Sequence, residues 1–269
     1  MWNEGNALEK VLLAEPRPEQ ARVFSLRRHN FGGWINHEAI QRQFRALKEI
    51  LEEHGTKVAV IPQMPGFPNS IFLRDTALMT HEGFIALRMG LATRRGEDAS
   101  VADHLRREGY NELGRVDPPG TAEGGDIILA GATAFVGHSG RTNREGALQV
   151  QELLESIGFS VRVVPVPPPH LHLGGFMSMV DPETIVHRDI PIDGEVFAGF
   201  RTVAVPDPSF ISANVICVAP RLVLADAGQT TTIEMLTRHG VEVRIINASE
   251  YIRANGGLNC LILPLVRAG

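Results

Sequence analysis

The sequence predicts an α/β fold of about five repeated strand-strand-helix-strand modules, packed around an axis with a shared central site. Three observations carry that expectation. Four segments repeat one phrase, an amphipathic helix followed by a short glycine-bearing turn and an apolar, β-rich strand. Ahead of each helix lie short alternating apolar runs with a turn at their centre, the pattern of two paired strands. The phrase recurs roughly every 45 to 60 residues, and a unit of that size leaves an apolar face that only a neighbouring unit can cover.

In chain order, an opening strand is built around KVLLAEPR, followed by a helix and FRALKEILEEHGTKVAVIP from Phe44. Ile40, Phe44, Leu47 and Leu51 share one face of that helix, and Gly55 stands where a left-handed C-cap is expected. The second unit pairs ALMTHEGFIALR with the helix and strand of VADHLRREGYNELGRVD from Val101. The third pairs DIILAGATAFVG with LQVQELLESIGFSVRVVPV from Leu148. A degenerate unit near 172 to 206 holds MSMVDPETIVH but has a short or missing helix. The last joins VICVAPRLVLADAG to TIEMLTRHGVEVRIINA from Thr232. Proline- and glycine-rich stretches such as PVPPPH at 165 to 170 do not resemble long linkers, so residues 1–269 read as a single domain.

Bulk properties narrow the function. The 269 residues are 43% hydrophobic and 21% charged, with a net charge of −5 and no Lys/Arg cluster longer than a pair, which argues against nucleic acid or an anionic membrane as partner. The opening MWNEGNALEK is polar and acidic where a signal peptide is basic and then apolar. No stretch approaches the roughly 18 apolar residues of a membrane helix, so a cytoplasmic location is expected. Two cysteines, Cys217 and Cys260, exclude a disulfide framework and a four-cysteine zinc site within one chain.

The chemistry concentrates in five stretches. In FPNSIFLRDTAL, residues 67 to 78, Asn69, Arg74 and Asp75 interrupt an otherwise apolar strand; the plainer alternative is a turn with surface charges. In GTAEGGDIIL, residues 120 to 129, two glycines permit a tight bend that presents Glu123 and Asp126. In GHSGRTNREGALQV, residues 137 to 150, Thr142 and Glu145 fit a capping box, leaving Arg141 free for a carboxylate. In PPPHLHLGG, residues 167 to 175, His170 and His172 are two apart on an extended segment and share a face, which suits a metal site or a catalytic base beside a structural histidine. In GGLNCLILPL, residues 256 to 265, Cys260 is placed on a strand after a glycine pair, whereas Cys217 in NVICVAP reads as a buried, inert thiol. A thiol, a histidine, carboxylates and arginines together suit a cationic amino acid with a guanidinium tail, held at both ends.

FPNSIFLRDTAL, LATRRGE at 91 to 97, GTAEGGDI, SGRTNREGA, LHL at 171 to 173 and GGLNCL occur in the order found in the guanidino-group-modifying superfamily. The chain resembles most of all the dimethylarginine dimethylaminohydrolase family within it. The resemblance implies the pentein fold, a five-bladed α/β-propeller of repeated ββαβ modules with pseudo-fivefold symmetry and a central active site. It also implies a C–N hydrolase of linear amidines, converting Nω-methylated arginine to citrulline and an amine through a covalent thiouronium on cysteine, with no metal or organic cofactor. Carried over residue by residue, it makes Cys260 the nucleophile and His172 the general acid/base, with Glu123 also placed among the catalytic residues. Asp75 and Glu123 become the carboxylates that hold the guanidinium, Phe72 lines the pocket, and Arg94 and Arg141 receive the α-carboxylate. The partner implied is a small guanidino amino acid, with a homodimer left open. Asn69 stands where the family usually carries an aspartate toward the α-amine, and Gly174 where arginine deiminases carry an aspartate. The alternatives are an arginine deiminase or amidinotransferase-type enzyme, a zinc hydrolase using His170 and His172, and a non-catalytic binder. Residues 22 to 36, RVFSLRRHNFGGWIN, have the glycine pair and mixed polarity of a lid.

Overall fold

A computed structural model describes residues 2–18, 23–168, 170–189 and 194–269. The chain opens with β1 (Leu8–Glu15), α1 (His37–Glu53) and β2 (Lys57–Pro62), β2 lying parallel to β1. The pattern then repeats with an antiparallel strand added in front. β3 (Ala77–Met79) pairs antiparallel with β4 (Phe84–Ala86), α2 (Glu97–Arg107) crosses over, and β5 (Glu112–Arg115) returns parallel to β4. β6 (Ile127–Ala130), β7 (Thr133–His138), α3 (Arg144–Ser156) and β8 (Ser160–Pro165) do the same. In the degenerate unit β9 (Met177–Asp181), β10 (Thr184–Arg188) and β11 (Arg201–Val205) form the sheet, and the described residues between β10 and β11 hold a 3-10 turn at Gly194–Phe197 and no α-helix. β12 (Ile216–Ala219), β13 (Leu222–Asp226), α4 (Thr230–Arg238) and β14 (Glu242–Ile246) complete the last full unit. After α5 (Ser249–Arg253) and α6 (Leu258–Leu261), the C-terminal β15 (Leu263–Arg267) pairs antiparallel with β1 and supplies the strand the first unit lacks. Five three-stranded sheets result, closed by the two ends of the chain.

The pleat explains why the central strands are apolar on both faces. Along β1, Val11 and Leu13 enter a core shared with Ile216 and Leu224 of the last unit, while Leu12 and Ala14 enter one shared with Ala77 and Phe84 of the second. Along β7, Ala134 and Val136 face the second unit and Phe135 faces the fourth. Along β10, Ile185 faces the third and Val186 the fifth. Each interface between neighbouring sheets is thus one hydrophobic cluster, and successive residues of a middle strand serve alternate neighbours. The longer helices α1 to α4 each bury part of their surface against the strands. Ile40, Phe44, Leu47 and Leu51 of α1 are buried as one stripe, and Gly55 closes its C-terminal turn at φ +82°.

One cap differs from the sequence expectation. Asn143, not Thr142, caps α3, its side chain accepting from Gly146 N at 2.8 Å. The Thr142 hydroxyl instead donates to Asp126, at 2.6 Å. The hydroxyl oxygen, which a cap would turn to a helix N–H, instead accepts from Glu123 N at 3.2 Å.

Every first strand of a unit is preceded by a tight turn aimed at the axis. Three are 3-10 turns, Leu73–Asp75, Gly124–Asp126 and Leu173–Gly175; the others are the bend leading to Asn214 and the short α6. Hydrogen bonds join successive turns. Gly125 N donates to Asp75 at 3.1 Å, Leu173 N to Asp126 at 2.9 Å, Asn214 Nδ2 to the Gly174 carbonyl at 2.7 Å, and Asn259 N to Asn214 Oδ1 at 2.9 Å. Helix α6 packs against the Leu73–Asp75 turn and closes the ring.

Candidate active site

The turn ring brings Asp75, Glu123, His172 and Cys260 to one place, although they come from four different units. Cys260 is half-buried on α6, not on a strand as its apolar flank suggested, because the chain makes one helical turn before β15 begins. Likewise Asp75 ends a turn before β3 and does not interrupt a strand. Gly125 makes the approach possible: a Cβ there would lie 2.7 Å from His172 Nδ1 and 2.9 Å from Asp75 Oδ1, so any side chain would separate the two.

Two crevices meet at the thiol. One, with an empty volume of about 300 Å³, is lined by Asn69, Phe72, Asp75, Arg94 and Arg141. The other, about 430 Å³, is lined by Gly174, Gly175, Phe210, Ile211 and Asn214. Leu171, His172, Asn255 and Cys260 border both. A molecule reaching Cys260 therefore meets Asp75, Arg94 and Arg141 on one side and, besides the shared His172, only Arg74 as a charged lining residue among those described on the other.

Charge is arranged in pairs. His172 Nε2 donates to Glu123 Oε2 at 2.8 Å, with both groups buried. Burial opposes the imidazolium, but Asp75, Asp126 and Glu123 outweigh it and push His172 up to about 9. Burial likewise opposes the Glu123 carboxylate, yet His172, Arg94 and Arg141 hold it well below the usual carboxylate range. The pair is thus an imidazolium and a carboxylate at neutral pH, with Nδ1 left for exchange in the crevice. Glu123 Oε1 is further held by Gly90 N at 2.9 Å and Leu91 N at 3.3 Å. Asp126 accepts from Ser139 and Thr142 at 2.6 Å each and anchors the turn that carries His172. Burial pushes the Cys260 thiol up to about 11, with the Asp75 charge adding to it and Gly257, Arg74 and Asn214 opposing it.

Arg94 is placed differently from expectation. Instead of waiting at the mouth, it is buried between carboxylates. Nη1 donates to Asp75 at 2.6 Å, Nε to Glu97 at 2.9 Å and Nη2 to the Phe72 carbonyl at 3.0 Å, while Glu123 is 3.9 Å away. Arg141 is freer, with one long contact to Glu123 at 3.5 Å. Asn69 donates to the His29 carbonyl at 3.0 Å, and its buried Oδ1 has no hydrogen-bond partner among the described residues. Phe72 is buried at the crevice wall. Within the stretch 22 to 36, Arg22 lies outside the described residues, and Asn30 lines the charged crevice. Gly32 N and Gly33 N donate to the Arg253 carbonyl at 2.8 and 3.0 Å, and Asn255 Nδ2 donates to the Asn30 carbonyl at 2.8 Å.

The two histidines do not share a face. His170 accepts from Arg188 at 2.8 Å and packs on Phe176, away from the thiol. Asp75, Glu123 and His172 do cluster, with ligand-type atoms within 4.8 Å of one another. The Arg94 guanidinium already supplies the positive charge between these carboxylates, and His172 bonds Glu123 directly. That donor set fits a guanidinium better than a zinc ion, whose ligands must all turn inward at about 2.0–2.2 Å.

Sequence reasoning missed Asn214 and Glu97. Asn214 Nδ2 lies 3.8 Å from Cys260 Sγ as a donor. Its signal was positional: it sits in the turn before a first strand, as Asp75 does, but a neutral amide in FISANVIC does not stand out. Glu97 ends the LATRRGE stretch, whose arginine alone was given a role.

Two families match adjacent parts of the chain: "N,N dimethylarginine dimethylhydrolase, eukaryotic" over residues 27–188 and "Arginine deiminase" over 202–267. The N(G),N(G)-dimethylarginine dimethylaminohydrolase of Pseudomonas aeruginosa is 31% identical over 221 residues, covering 82% of this chain and 86% of that protein. The Streptomyces coelicolor protein of the same name is 29% identical over 257 residues, covering 96% and 97%. A cysteine-to-serine mutant of the Pseudomonas aeruginosa protein complexed with citrulline superposes with a TM-score of 0.83 at 27% identity, over 96% of this chain and 99% of that one. An amidinotransferase from Microseira wollei superposes with a TM-score of 0.84 at 18% identity over 100% and 97%, a likeness of fold alone. The expected five-module pentein propeller is therefore the fold observed, and with the first match spanning more than half of its length, the chain belongs to the dimethylarginine dimethylaminohydrolase family.

Proposed function

We propose that the protein hydrolyses the guanidinium carbon of an Nω-methylated arginine, releasing citrulline and the methylated amine. The observation that carries this is a half-buried thiol sharing its crevices with an imidazolium, over the buried carboxylates Asp75 and Glu123. The printed names of the relatives and the citrulline complex point to the same chemistry.

A guanidinium carbon is a weak electrophile because its charge is delocalised, so it must be fixed in place and met by a strong nucleophile. Asp75 and Glu123 fix it. Burial, with the Asp75 charge adding to it, favours the thiol form of Cys260 before substrate arrives. An arriving guanidinium adds a positive charge beside the sulfur and beside the Asp75–Arg94 pair, which favours the thiolate, the thiol proton leaving to solvent and Asn214 Nδ2 standing as a donor to the sulfur. The thiolate forms an S–C bond and the C=N electron pair moves onto nitrogen. His172 then gives its proton to the alkylated nitrogen, whose C–N bond breaks to release amine and leave a thiouronium on Cys260. Neutral His172 next removes a proton from water as the oxygen adds to the same carbon. The C–S bond breaks as the new hydroxyl gives its proton to the departing sulfur, returning the thiol and a ureido product.

The second crevice bears on the substrate. Gly174 and Gly175, Phe210 and Ile211 line it together with Arg74, and among the described residues no carboxylate lines it to bind a bare terminal nitrogen. A charge-assisted hydrogen bond is worth about 1.5 to 3 kcal/mol, so its absence there favours methylated nitrogen over arginine. At the other end Arg141 serves the α-carboxylate, and the unpartnered Asn69 Oδ1 serves the α-amine.

The test is citrulline formation from asymmetric dimethylarginine and arginine side by side, with Cys260→Ser as control. Turnover of the methylated substrate alone, lost in the control, is expected. Preference for arginine would make the protein a short deiminase, and no turnover of either would discard the substrate assignment.

A further inference from the structure

We propose that Arg74 is a built-in cation for the nucleophile, favouring the Cys260 thiolate from the second crevice, and that Glu4 is a positioning residue that seats Arg74 there and tempers its charge. The inference rests on the assignment of Cys260 as the nucleophile.

Three consecutive residues of one 3-10 turn serve three places. Leu73 enters the core between the first two units, Asp75 lines the charged crevice, and Arg74 lines the second crevice with Cys260. The turn is held tightly against the next one, since a Cβ on Gly124 would overlap the Arg74 carbonyl oxygen. Arg74 itself is buried. Nε donates to the Gly124 carbonyl at 3.1 Å, and Nη2 donates to the Ile127 carbonyl at 2.7 Å and to Glu4 at 2.6 Å. Nη1 has no hydrogen-bond partner among the described residues, so the side chain that borders the thiol keeps one nitrogen unused. Helix α6, which carries Cys260, packs on this same turn.

Glu4 comes to the pair from a short segment that three other units clasp. Glu4 N donates to the Leu129 carbonyl at 2.8 Å, and Leu129 N returns a bond to Glu4 Oε1 at 3.1 Å. Asn3 Nδ2 donates to the Pro182 carbonyl at 3.1 Å, and Gly5 lies so close to Asp181 that a Cβ would overlap its backbone. Asn6 Nδ2 donates to the Ala268 carbonyl at 2.8 Å, and Arg267 Nη1 to the Asn6 carbonyl at 2.6 Å. The third, fourth and first units thus fix residues 3 to 6, and with them the Glu4 carboxylate. Glu4 is buried and borders neither crevice at the thiol, so it meets the site by way of Arg74.

Stability alone does not account for this pair, because a buried ion pair often gains little over apolar residues of similar volume. Its neighbour does. The charged groups around the sulfur are Asp75, which disfavours the thiolate, and Arg74, which favours it, with the protonated His172 lining the same space. The charged groups around Arg74 are Glu4 and Arg267. Arg74 therefore supplies positive charge to the sulfur before a substrate does, and Glu4 offsets part of that charge while holding the guanidinium in place.

The test is the rate at which neutral iodoacetamide labels Cys260 at pH 8, with the labelled peptide identified by mass spectrometry. Four forms are compared: the native protein, Glu4→Gln, Arg74→Lys, and Arg74→Met combined with Glu4→Gln. Glu4→Gln keeps an acceptor for Arg74 and removes the opposing charge, so Cys260 is expected to label about threefold faster. The double variant removes the cation without leaving a carboxylate buried alone, and its labelling is expected to fall about tenfold below native. Arg74→Lys keeps the charge and is expected to stay within about threefold of native. Arg74→Gln, in which Glu4 keeps a donor, serves if the Glu4 variants fold poorly, with slower labelling expected. Titration of the thiolate's ultraviolet absorbance, taken as the difference from each variant's Cys260→Ser counterpart, is expected to shift in the same order, which separates proton affinity from access. Rates unchanged in every variant, rates slowed alike by Glu4→Gln and the double variant, or rates that change without a shift in the titration would each overturn the inference and leave the nucleophile assignment intact. Failure of native Cys260 to label faster than Cys217 would remove the nucleophile assignment and this inference together.

Discussion

Cys217 and Cys260 have the same chemistry, and burial pushes both thiols up to about 11, yet their surroundings differ in sense. Cys217 on β12 is enclosed, with the carbonyls of Gly5, Val180 and Ala219 at 3.5, 3.4 and 3.2 Å. These three acceptors favour S–H, against the Arg267 charge, which favours S⁻. Cys260 is half-buried at the junction of two crevices, near the donor Asn214, with a protonated His172 lining the same space. Reactivity is therefore set by access and by whether the neighbours donate or accept, not by the resting affinity of sulfur for its proton.

The largest test of that contrast is deletion of each sulfur. Cys260→Ser is expected to lower turnover by about 10⁴-fold or more, whereas Cys217→Ser keeps kcat within about twofold and costs about 1 kcal/mol of stability. Steady-state citrulline formation and thermal melts read the two. A Cys217→Ser variant that also lost turnover would break the distinction. Next, His172→Gln is expected to reduce kcat by about 10²- to 10⁴-fold, because leaving-group protonation and water activation both pass through it. Selective labelling of Cys260 by a haloacetamidine should persist in that variant, since the carboxylates still hold the probe's cation.

Asn214→Ala sharpens the comparison further by removing a donor that Cys217 never had. A hydrogen bond to a charged group is worth about 1.5 to 3 kcal/mol, so turnover should fall about 10- to 100-fold with the pH dependence of thiol alkylation moved upward. No change would mean that the 3.8 Å contact is only steric. The smallest effect is electrostatic. The Asp75 charge raises the Cys260 pKa, so Asp75→Asn is expected to lower it. Below the pKa the thiolate fraction grows about tenfold for each unit by which the pKa falls. Neutral iodoacetamide should therefore label Cys260 faster at pH 8 in Asp75→Asn than in the native protein, with Cys217 unreactive in both. A slower rate would show that Asp75 positions the thiol more than it repels the thiolate.

Much of the molecule was legible beforehand because it is locally written. The buried stripe of α1, the paired runs that became β3–β4, β6–β7, β9–β10 and β12–β13, and the missing helix of the degenerate unit follow from periods of 3.6 and 2 and from glycine turns. Asp75, Glu123, His172 and Cys260 were visible as reactive groups in otherwise apolar surroundings. Asn214 was not, since an uncharged amide becomes notable only once its turn is seen beside a sulfur. The fate of Thr142 depended on Asp126, and that of Arg94 on Glu97 and Asp75, choices made between competing partners.

The sequence by itself determined the five-module plan and the reactive groups, because strand and helix periods and unusual side chains are properties of neighbouring residues. Only the tertiary structure decided which turns meet, which histidine faces the thiol and that Arg94 lies among carboxylates. Those outcomes depend on closing β15 onto β1 and on buried donors and acceptors from distant units satisfying one another, and no local stretch contains both members of such a pair.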